Sequence, residues 1–318
     1  MHERVRIAQI GCGAWGRNLL REVVAHPLAD ATLVIDLEPS ARALAHALAP
    51  DARVCASVDA LDMADVDAVI VASPGPCHAV HVRAALARKL HVLVEKPMTT
   101  STAEARALTR EAERLRVVAM VGHLLQHHQA VLALLRYVRA GRLGSPVRFR
   151  SHRLCTAGSR DVDGSLIWSL APHDIAVLRA LDRSPVVHAR ADVQQSPPIA
   201  QLEVLLASGL RADITLSRAH RAKVRRLEVA CERGVVVFDD LLAAGKVKVF
   251  CGDRVVVLPY AERPEPLCAE VDAFVRCIRD GQRPRISFSD GLEVVSVLEA
   301  AQFSGSVKSV GPPLLAAR

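Results

Sequence analysis

Two residues have the side chains and the surroundings needed to exchange a proton near neutral pH. Lys96 lies in Glu95-Lys96-Pro97, after an apolar stretch, and lysines make up only six of the 41 basic residues. Burial beside a cofactor lowers the pKa of a lysine amine toward neutrality, which no arginine allows. His173 follows Pro172 at the start of a predicted amphipathic helix. An imidazole there can take the proton of an alcohol while hydride leaves the same carbon.

Each residue also has a purely structural interpretation. Lys96 could be a surface residue at a strand end, although Pro97 counts slightly against this because it fixes the backbone beside it. His173 could cap its helix, and the sequence favours neither interpretation. Asp174 either orients the imidazole or favours the helix N-terminus electrostatically.

A glycine-rich turn near the N-terminus is the element expected to hold a redox cofactor. The apolar strand Val5 to Ile10 leads into Gly11-Cys12-Gly13-Ala14-Trp15-Gly16, which has the spacing G-x-G-x-x-G, and a helix follows. Gly11 allows a tight turn, Gly13 a close approach of the backbone to a pyrophosphate, and Gly16 the packing of the helix on the strand. The free N–H groups of the helix suit a diphosphate. A turn that binds nothing is the alternative.

The end of the second predicted strand indicates which dinucleotide is bound. Asp36 ends the stretch 31–36 and follows the last glycine by about 20 residues, the distance expected of a ribose-binding acid. A carboxylate there accepts hydrogen bonds from the ribose diol and repels a 2′-phosphate. No arginine follows in Leu37-Glu38-Pro39-Ser40, so the sequence predicts NAD rather than NADP.

The order of the predicted elements indicates an α/β fold in two parts. Strands and helices alternate through residue 121, which predicts a doubly wound parallel sheet of the Rossmann type. The apolar run 68–72 breaks at Ser73-Pro74, at the carboxyl end of a strand, so these residues and His78 are expected at the cofactor crevice. Successive strands after Gly122 predict a C-terminal α+β domain with a large, mostly antiparallel open sheet. We therefore assign 1–121 to an NAD-binding domain and 122–318 to a substrate-binding and oligomerisation domain.

Composition narrows the function classes further. The 318 residues are 51% hydrophobic, with a net charge of +7 and 3% aromatic residues, and their scattered arginines argue against a nucleic-acid partner. One dense basic cluster, 218–226, is expected to be a half-exposed strand with its preceding loop, and an anion contact is the second interpretation. The eight cysteines lack zinc spacing, so we expect free thiols and no metal. Without a signal peptide or an apolar membrane span, a soluble cytoplasmic protein is expected.

In this order and spacing, the motifs resemble the glucose-fructose oxidoreductase, inositol dehydrogenase and rhizopine-catabolism (Gfo/Idh/MocA) family over essentially the whole chain. Within that family, four segments are most similar to bacterial nucleotide-sugar 3-dehydrogenases, especially those acting on UDP-N-acetylglucosamine or its uronic acid. These segments are 11–19, 121–125, 168–174 and 223–226, the last leading to 238–240. The resemblance implies NAD as cofactor and a UDP-sugar as substrate, whose diphosphate would explain the basic cluster.

The resemblance also implies roles for individual residues. Lys96 and His173 would be catalytic and share the proton of the sugar C3 hydroxyl. The expected cofactor contacts are Gly11, Gly13, Ala14, Trp15, Gly16, Asp36, Leu37, Ala72, Ser73, Pro74, His78, Glu95, Lys96 and His123. The expected substrate contacts are Lys96, His123, Trp168, Ser169 and His173. Ser169 departs from the family pattern, which often has an aspartate four residues before the histidine, and His127-His128-Gln129 departs from a Tyr, His, Pro pattern.

Other functions remain compatible with the same fold. The chain could reduce a keto sugar with NAD(P)H, oxidise an inositol or a free sugar, or bind a dinucleotide as a sensor without catalysis. An open antiparallel sheet must cover its outer face, so a homodimer or homotetramer is expected.

Overall fold

The first part of the chain forms the predicted parallel sheet. In this computed structural model, which describes residues 4–63, 65–157 and 165–304, six strands lie in the order β3-β2-β1-β4-β5-β6. The strands are β1 (Val5–Ile10), β2 (Ala29–Ile35), β3 (Arg53–Cys55), β4 (Ala68–Val71), β5 (His91–Glu95) and β6 (Ala119–Gly122). The order reverses between β1 and β4, and a ligand crevice forms outside the carboxyl ends of strands at such a point.

Helices follow the strands in the expected alternation. They are α1 (Gly16–Ala25), α2 (Pro39–Leu48), α3 (His78–Ala87) and α4 (Thr102–Leu115). Buried side chains alternate along β1, so that Ile7 packs with α1 and Ala8 packs with α3 and α4. Ser101 caps α4, since its hydroxyl accepts from the Glu104 backbone N–H. Both faces of the parallel sheet are therefore covered by helices, as its apolar strands require.

The second part is a mostly antiparallel sheet of eight strands in the order β14-β13-β12-β11-β7-β10-β9-β8. Its strands are β7 (Pro146–Leu154), β8 (Val186–Gln194), β9 (Ile199–Leu206), β10 (Arg211–Ser217), β11 (Val224–Cys231), β12 (Gly234–Asp239), β13 (Val247–Cys251) and β14 (Arg254–Val257). Within this sheet β7 and β10 pair in parallel, and the other neighbours pair antiparallel. The fold class predicted from the sequence is confirmed.

Five further helices complete the described chain: α5 (Gln129–Arg139), α6 (Leu166–Leu170), α7 (Pro172–Leu181), α8 (Pro266–Asp280) and α9 (Phe288–Ser304). Helices α5, α6 and α9 contact one face of the large sheet, and α7 bonds to β7 through Asp174. Along β7, Phe149 and Ser151 are buried against this layer, whereas Arg148 and Arg150 are exposed on the opposite face. No helix among the described residues is long and apolar enough to cross a membrane.

Helix α8 does not join that layer. Its buried residues Val271, Phe274 and Val275 pack instead on the N-terminal parallel sheet, in one cluster with Ile7 and Leu19. The C-terminal part of the chain thus completes the core of the first sheet. The sequence division into 1–121 and 122–318 stays a prediction, and its outermost residues, 1–3 and 305–318, lie outside the described ranges.

One predicted helix is divided in two. The sequence suggests a single helix from about Ser169 to Leu181, but α6 ends at Leu170 and α7 begins at Pro172. Proline has no N–H to continue the helical hydrogen bonds and is well suited to the first position of a new helix. The break sets the direction of α7, on whose first turn His173 lies.

Candidate active site

The glycine turn has the geometry that a dinucleotide requires. Gly11 has φ +97°, and a Cβ built on it would lie 2.6 Å from the Ala72 carbonyl oxygen. A Cβ on Gly16 would collide with the Gly11 carbonyl oxygen. A Cβ on Gly13 would meet no atom within 4 Å, and Ala14 and Trp15 beside it are exposed. Two glycines therefore allow the turn to close, and the third leaves its tip open to a ligand.

Gln9 stabilises this turn by hydrogen bonds to its backbone. Its side chain is buried in β1, and its Nε2 donates to the carbonyl oxygens of Gly11 and Gly16, both at 2.8 Å. The two bonds join the start of the turn to the start of α1. Sequence analysis missed Gln9, and the available signal was a polar residue in an otherwise apolar strand.

Asp36 lies at the far end of the same turn. Its carboxylate accepts from the backbone N–H of Cys12 at 2.7 Å and of Glu38 at 2.9 Å. Arg42 folds back from α2 and donates to the carbonyl oxygens of Asp36 and Leu37, at 2.9 and 2.7 Å. The side chain of Leu37 itself is exposed. Asp36 is thus fixed where the ribose-binding acid was expected, but an arginine that the sequence analysis overlooked lies close by.

The opposite wall of the crevice consists of the turns that follow β4 and β5. Ser73 and Pro74 follow β4, and the Ser73 hydroxyl bonds to His81 Nδ1 at 2.8 Å. His78 is buried beneath them, and its ring nitrogens contact the carbonyl oxygens of Ser73 and Pro97. His78 therefore lies beneath the expected crevice and joins its two turns.

A buried carboxylate links the glycine turn to β5. Glu95 accepts from the indole N–H of Trp15 at 2.5 Å and from the backbone N–H of Lys96 at 3.1 Å. Burial raises its pKa. A second acid, Glu270, lies nearby on α8. Burial, together with the charge of Glu95, raises the pKa of Glu270 well above its ordinary value. Glu270 has no exposed surface, and its oxygens have no hydrogen-bond partner among the described residues.

Lys96 reaches from the first sheet to the second part of the chain. Its Nζ donates to the carbonyl oxygen of Ser169 at 3.0 Å, and Arg218 donates to the Ser169 hydroxyl. Ser169 lies on α6, four residues before His173. The amine, the basic cluster and the first turn of α7 are therefore neighbours. The charge of Lys96 acts on the His173 imidazole, so the two side chains are neighbours.

Uncharged imidazoles line this site. Burial lowers the pKa of His173 well below its ordinary value, and the charges of Lys96 and Arg153 lower it further. Burial likewise lowers the pKa of His123 to about 4. Both ring nitrogens of His123, and Nδ1 of His173, are buried without a hydrogen-bond partner among the described residues. These orphaned nitrogens beside Lys96 are free to bond to a polar ligand.

Asp174 does not orient His173 in this structure. Its buried carboxylate accepts from the Ser151 hydroxyl at 2.7 Å and from two nitrogens of Arg153 at 2.7 and 3.0 Å. These bonds fasten the first turn of α7 to β7, which positions His173 through the backbone. The predicted substrate contact Trp168 is buried, and its indole N–H donates to Gln302 on α9 at 2.6 Å.

These observations fit a dinucleotide cofactor. The open tip at Gly13, the N-terminus of α1 and the fixed carboxylate of Asp36 follow β1 and β2, and Lys96 follows β5 at the same carboxyl edge of the parallel sheet. Among the described residues no group of three histidine, cysteine, aspartate or glutamate side chains could hold a metal ion. The eight cysteines are free thiols.

Comparison with known proteins supports the same interpretation. The model of the Gfo/Idh/MocA oxidoreductase family, with an NAD-binding Rossmann fold, matches residues 5–123. The UDP-N-acetylglucosamine 3-dehydrogenase of Acidithiobacillus ferrooxidans is 30% identical over 309 residues, which cover 93% of this chain and 95% of that protein. The chain belongs to the Gfo/Idh/MocA family. The resemblance stated from the sequence motifs is confirmed.

Other members of the Gfo/Idh/MocA family are similar over the same length. An inositol 2-dehydrogenase of Burkholderia multivorans is 28% identical, with 96% of each chain covered. The solved structure of the A. ferrooxidans enzyme GnnA superposes with a TM-score of 0.84 at 26% identity, covering 95% of this chain and 98% of that one. The structure of the 3-ketoreductase KijD10 of Actinomadura kijaniata, in complex with TDP-benzene and NADP, superposes with a TM-score of 0.82 at 21% identity. The match covers 95% of this chain and 98% of that one, and it supports the fold alone.

Proposed function

We propose that this protein oxidises the C3 hydroxyl of a UDP-sugar, UDP-N-acetylglucosamine or a related one, to the 3-keto sugar with NAD as hydride acceptor. The observation that supports it most directly is the position of Lys96. Its amine bonds to Ser169 and is the foremost charge that lowers the pKa of His173. This proximity of an amine and an imidazole from different parts of the chain supports a site in which both act on one hydroxyl group.

The residues of the chain would manage the proton of this reaction. His173 is uncharged at neutral pH and can accept the C3 hydroxyl proton, and Lys96 can hold the same oxygen by donating to it. NAD, which the glycine turn and Asp36 would hold, would supply the hydride acceptor that oxidation of the C3 hydroxyl to a carbonyl requires. Asp174, Ser151 and Arg153 keep His173 in place, so that the reacting groups meet in a fixed geometry. Ser169 supplies no carboxylate, so the proton that His173 accepts would not leave through a relay at that position.

Positive charge beside the sugar site supports a substrate with a diphosphate. Arg218 donates to Ser169, and Arg225 follows in β11 with its guanidinium on the Leu154 carbonyl oxygen. These guanidinium groups lie beside Lys96 and Arg153, and cationic side chains of this kind bind phosphate oxygens strongly. The A. ferrooxidans relative is named for a UDP-sugar, which agrees with this assignment.

NAD is the proposed cofactor because the Asp36 carboxylate lies between the glycine turn and the start of α2. It would accept from the ribose diol and repel a 2′-phosphate. Arg42 could offset that repulsion, so the two cofactors must be compared directly. A ratio of kcat/KM for NADP to NAD above one would contradict the assignment. Arg42→Ala should lower that ratio further.

The substrate is tested with a panel of sugars, and each reaction is monitored by the absorbance of the reduced cofactor. UDP-N-acetylglucosamine and its uronic acid should give reduced NAD, whereas myo-inositol and simple hexoses should not. Turnover of myo-inositol instead would support an inositol dehydrogenase. Reaction only of 3-keto sugars with NAD(P)H would support a ketoreductase. Tight cofactor binding with no turnover of any sugar would support a sensor.

We further propose that the outer face of the eight-stranded sheet is covered in a homodimer or homotetramer. This face has side chains of both charges, including the ion pairs Arg148–Asp213 and Arg226–Glu228. In a symmetric assembly they would form ion pairs with the same side chains of a second copy. A monomeric mass by light scattering at micromolar concentration would overturn this.

A further inference from the structure

His78 makes two contacts that cannot both be hydrogen bonds to a neutral imidazole. It is the first residue of α3 and is 1% exposed. Its Nδ1 lies 2.7 Å from the Pro97 carbonyl oxygen, and its Nε2 lies 2.7 Å from the Ser73 carbonyl oxygen. Carbonyl oxygens only accept hydrogen bonds. Two N–H groups are therefore needed on one ring.

A neutral histidine has a single ring N–H and one lone pair. If His78 were neutral, that lone pair would face a carbonyl oxygen at 2.7 Å, and two acceptors at this distance repel each other. Rotating the ring by half a turn would place carbon atoms against both oxygens and leave two buried carbonyl groups unpaired, which also costs free energy. The protonated ring satisfies both contacts at once.

We propose that His78 is an imidazolium cation in the folded protein and a positioning residue that joins the Ser73 and Pro97 turns of the crevice. Pro97 follows Lys96, so the bond to its carbonyl oxygen fixes the backbone from which the amine extends. The positive charge also lies beneath the crevice expected to receive an anionic dinucleotide. The positioning of Lys96 for catalysis rests on the proposed dehydrogenase function. The positive charge of His78 and its bonds to the two carbonyl oxygens do not depend on that function.

Other charged groups surround this position. His81 lies one turn along α3, and burial together with the charge of His78 lowers its pKa. Other titratable or charged groups lie on the elements packed against α3. They are His91 and Glu95 on β5, Lys96 after it, Asp59 and Asp62 in the segment 58–63, and Glu104, Arg106, Arg110, Glu111, Glu113 and Arg114 on α4. Glu104 pairs with Arg83, and Asp62 pairs with Arg88. Glu95, Glu104 and Asp62 bond to other groups. The two carbonyl oxygens are the acceptors that lie against the ring nitrogens of His78.

The direct test is NMR of the wild-type protein labelled with ¹⁵N and ¹³C in histidine, with signals assigned through the backbone. The two ring nitrogens of His78 should both have the shifts of N–H groups at pH 7 and keep them to about pH 8, above the ordinary histidine pKa of about 6.5. A ring with one protonated and one bare nitrogen at pH 7 would overturn the proposal. This measurement needs neither a substrate nor a variant.

A variant tests the positioning role. His78→Gln retains a donor but loses the charge and one of the two bonds. We expect a dissociation constant for NADH raised roughly tenfold to a hundredfold, as the loss of a charge-assisted bond implies. His46→Gln on the exposed side of α2 is the matched control, and should bind NADH as the wild type does.

Stability gives a further readout that does not depend on activity. A pKa raised by folding adds stability that is complete below about pH 6.5 and is lost as pH rises through the folded pKa. Chemical unfolding of wild type against His78→Gln should therefore show a difference that is largest at mildly acidic pH and shrinks at alkaline pH. An equal difference at every pH would contradict the charged form. If every sugar fails as substrate while these results hold, only the proposed function is lost.

Discussion

At the scale of single residues, Lys96 is the position on which the proposed chemistry depends. Lys96→Met keeps much of the volume and removes the amine, so NADH binding should persist while kcat falls by about 10²- to 10⁴-fold, the usual loss for a proton-transfer group. Fluorescence titration measures the first effect, and turnover of the substrate found in the panel measures the second. Lys89→Met is the control, since Lys89 precedes β5 whereas Lys96 follows it. Wild-type kcat in Lys96→Met would remove Lys96 from the mechanism.

Buried uncharged imidazoles should make the protein sensitive to acid. Burial lowers the pKa of His123 and of His127 to about 4 each. As pH falls below about 6.5, both imidazoles therefore bind a proton in the unfolded chain at a higher pH than in the folded protein. Each contributes stability on the order of 3 kcal/mol that is present above about pH 6.5 and lost toward pH 4. Urea unfolding across this range measures it, and His127→Gln should flatten the slope. An unchanged slope in the variant would contradict the burial of His127.

The types and spacing of several residues could be predicted from the sequence, but most of their partners could not. The glycine spacing, Asp36 and the strand-end position of Lys96 follow from local pattern. Gln9 was missed although its partners, the carbonyl oxygens of Gly11 and Gly16, are close in sequence, because a polar residue in an apolar strand does not show which groups it bonds to. Glu270 was missed because Glu95, the acid beside it, is distant in sequence. The roles of the predicted site residues stay predictions until the variants are measured.

At the scale of elements, the turn between β1 and α1 should depend on its support by Gln9. Gln9→Leu removes two hydrogen bonds to the turn, so NADH binding should become less favourable by about 1–3 kcal/mol, and the dissociation constant should rise by about fivefold to somewhat over a hundredfold. Calorimetry or fluorescence titration measures this. Gln201→Leu, at an exposed position on β9, should leave the constant unchanged. Equal affinities in all three proteins would show that the turn needs no such support.

Element boundaries were predictable wherever one strong local signal decided them. Apolar alternation and flanking turns in the sequence predict strands at 5–10, 199–206, 224–231 and 247–251, and these are the bounds of β1, β9, β11 and β13. The division of one helix at Pro172 was overlooked although proline itself was the signal. The parallel pairing of β7 with β10 depends on a register between distant segments, which no local pattern specifies.

At the scale of the whole molecule, α8 from the C-terminal part of the chain packs on the N-terminal parallel sheet. Phe274 is fully buried between α8 and the parallel sheet, so Phe274→Ala should lower the free energy of unfolding by about 3–5 kcal/mol. Thermal and urea unfolding measure the loss. Phe303→Ala is a matched control, because that ring is 82% exposed and its removal should change stability by no more than about 0.5 kcal/mol. Equal stability of the two variants would contradict the packing of α8.

The return of α8 has a practical consequence for anyone who expresses part of this protein. A recombinant fragment that stops at residue 121 would include the glycine turn and all but the last residue of the parallel sheet, yet it would lack Val271, Phe274 and Val275. The apolar strip they cover would then face water, and such strips promote aggregation. A minimal cofactor-binding unit would have to be assembled from both ends of the gene, with α8 joined to the N-terminal segment by a linker.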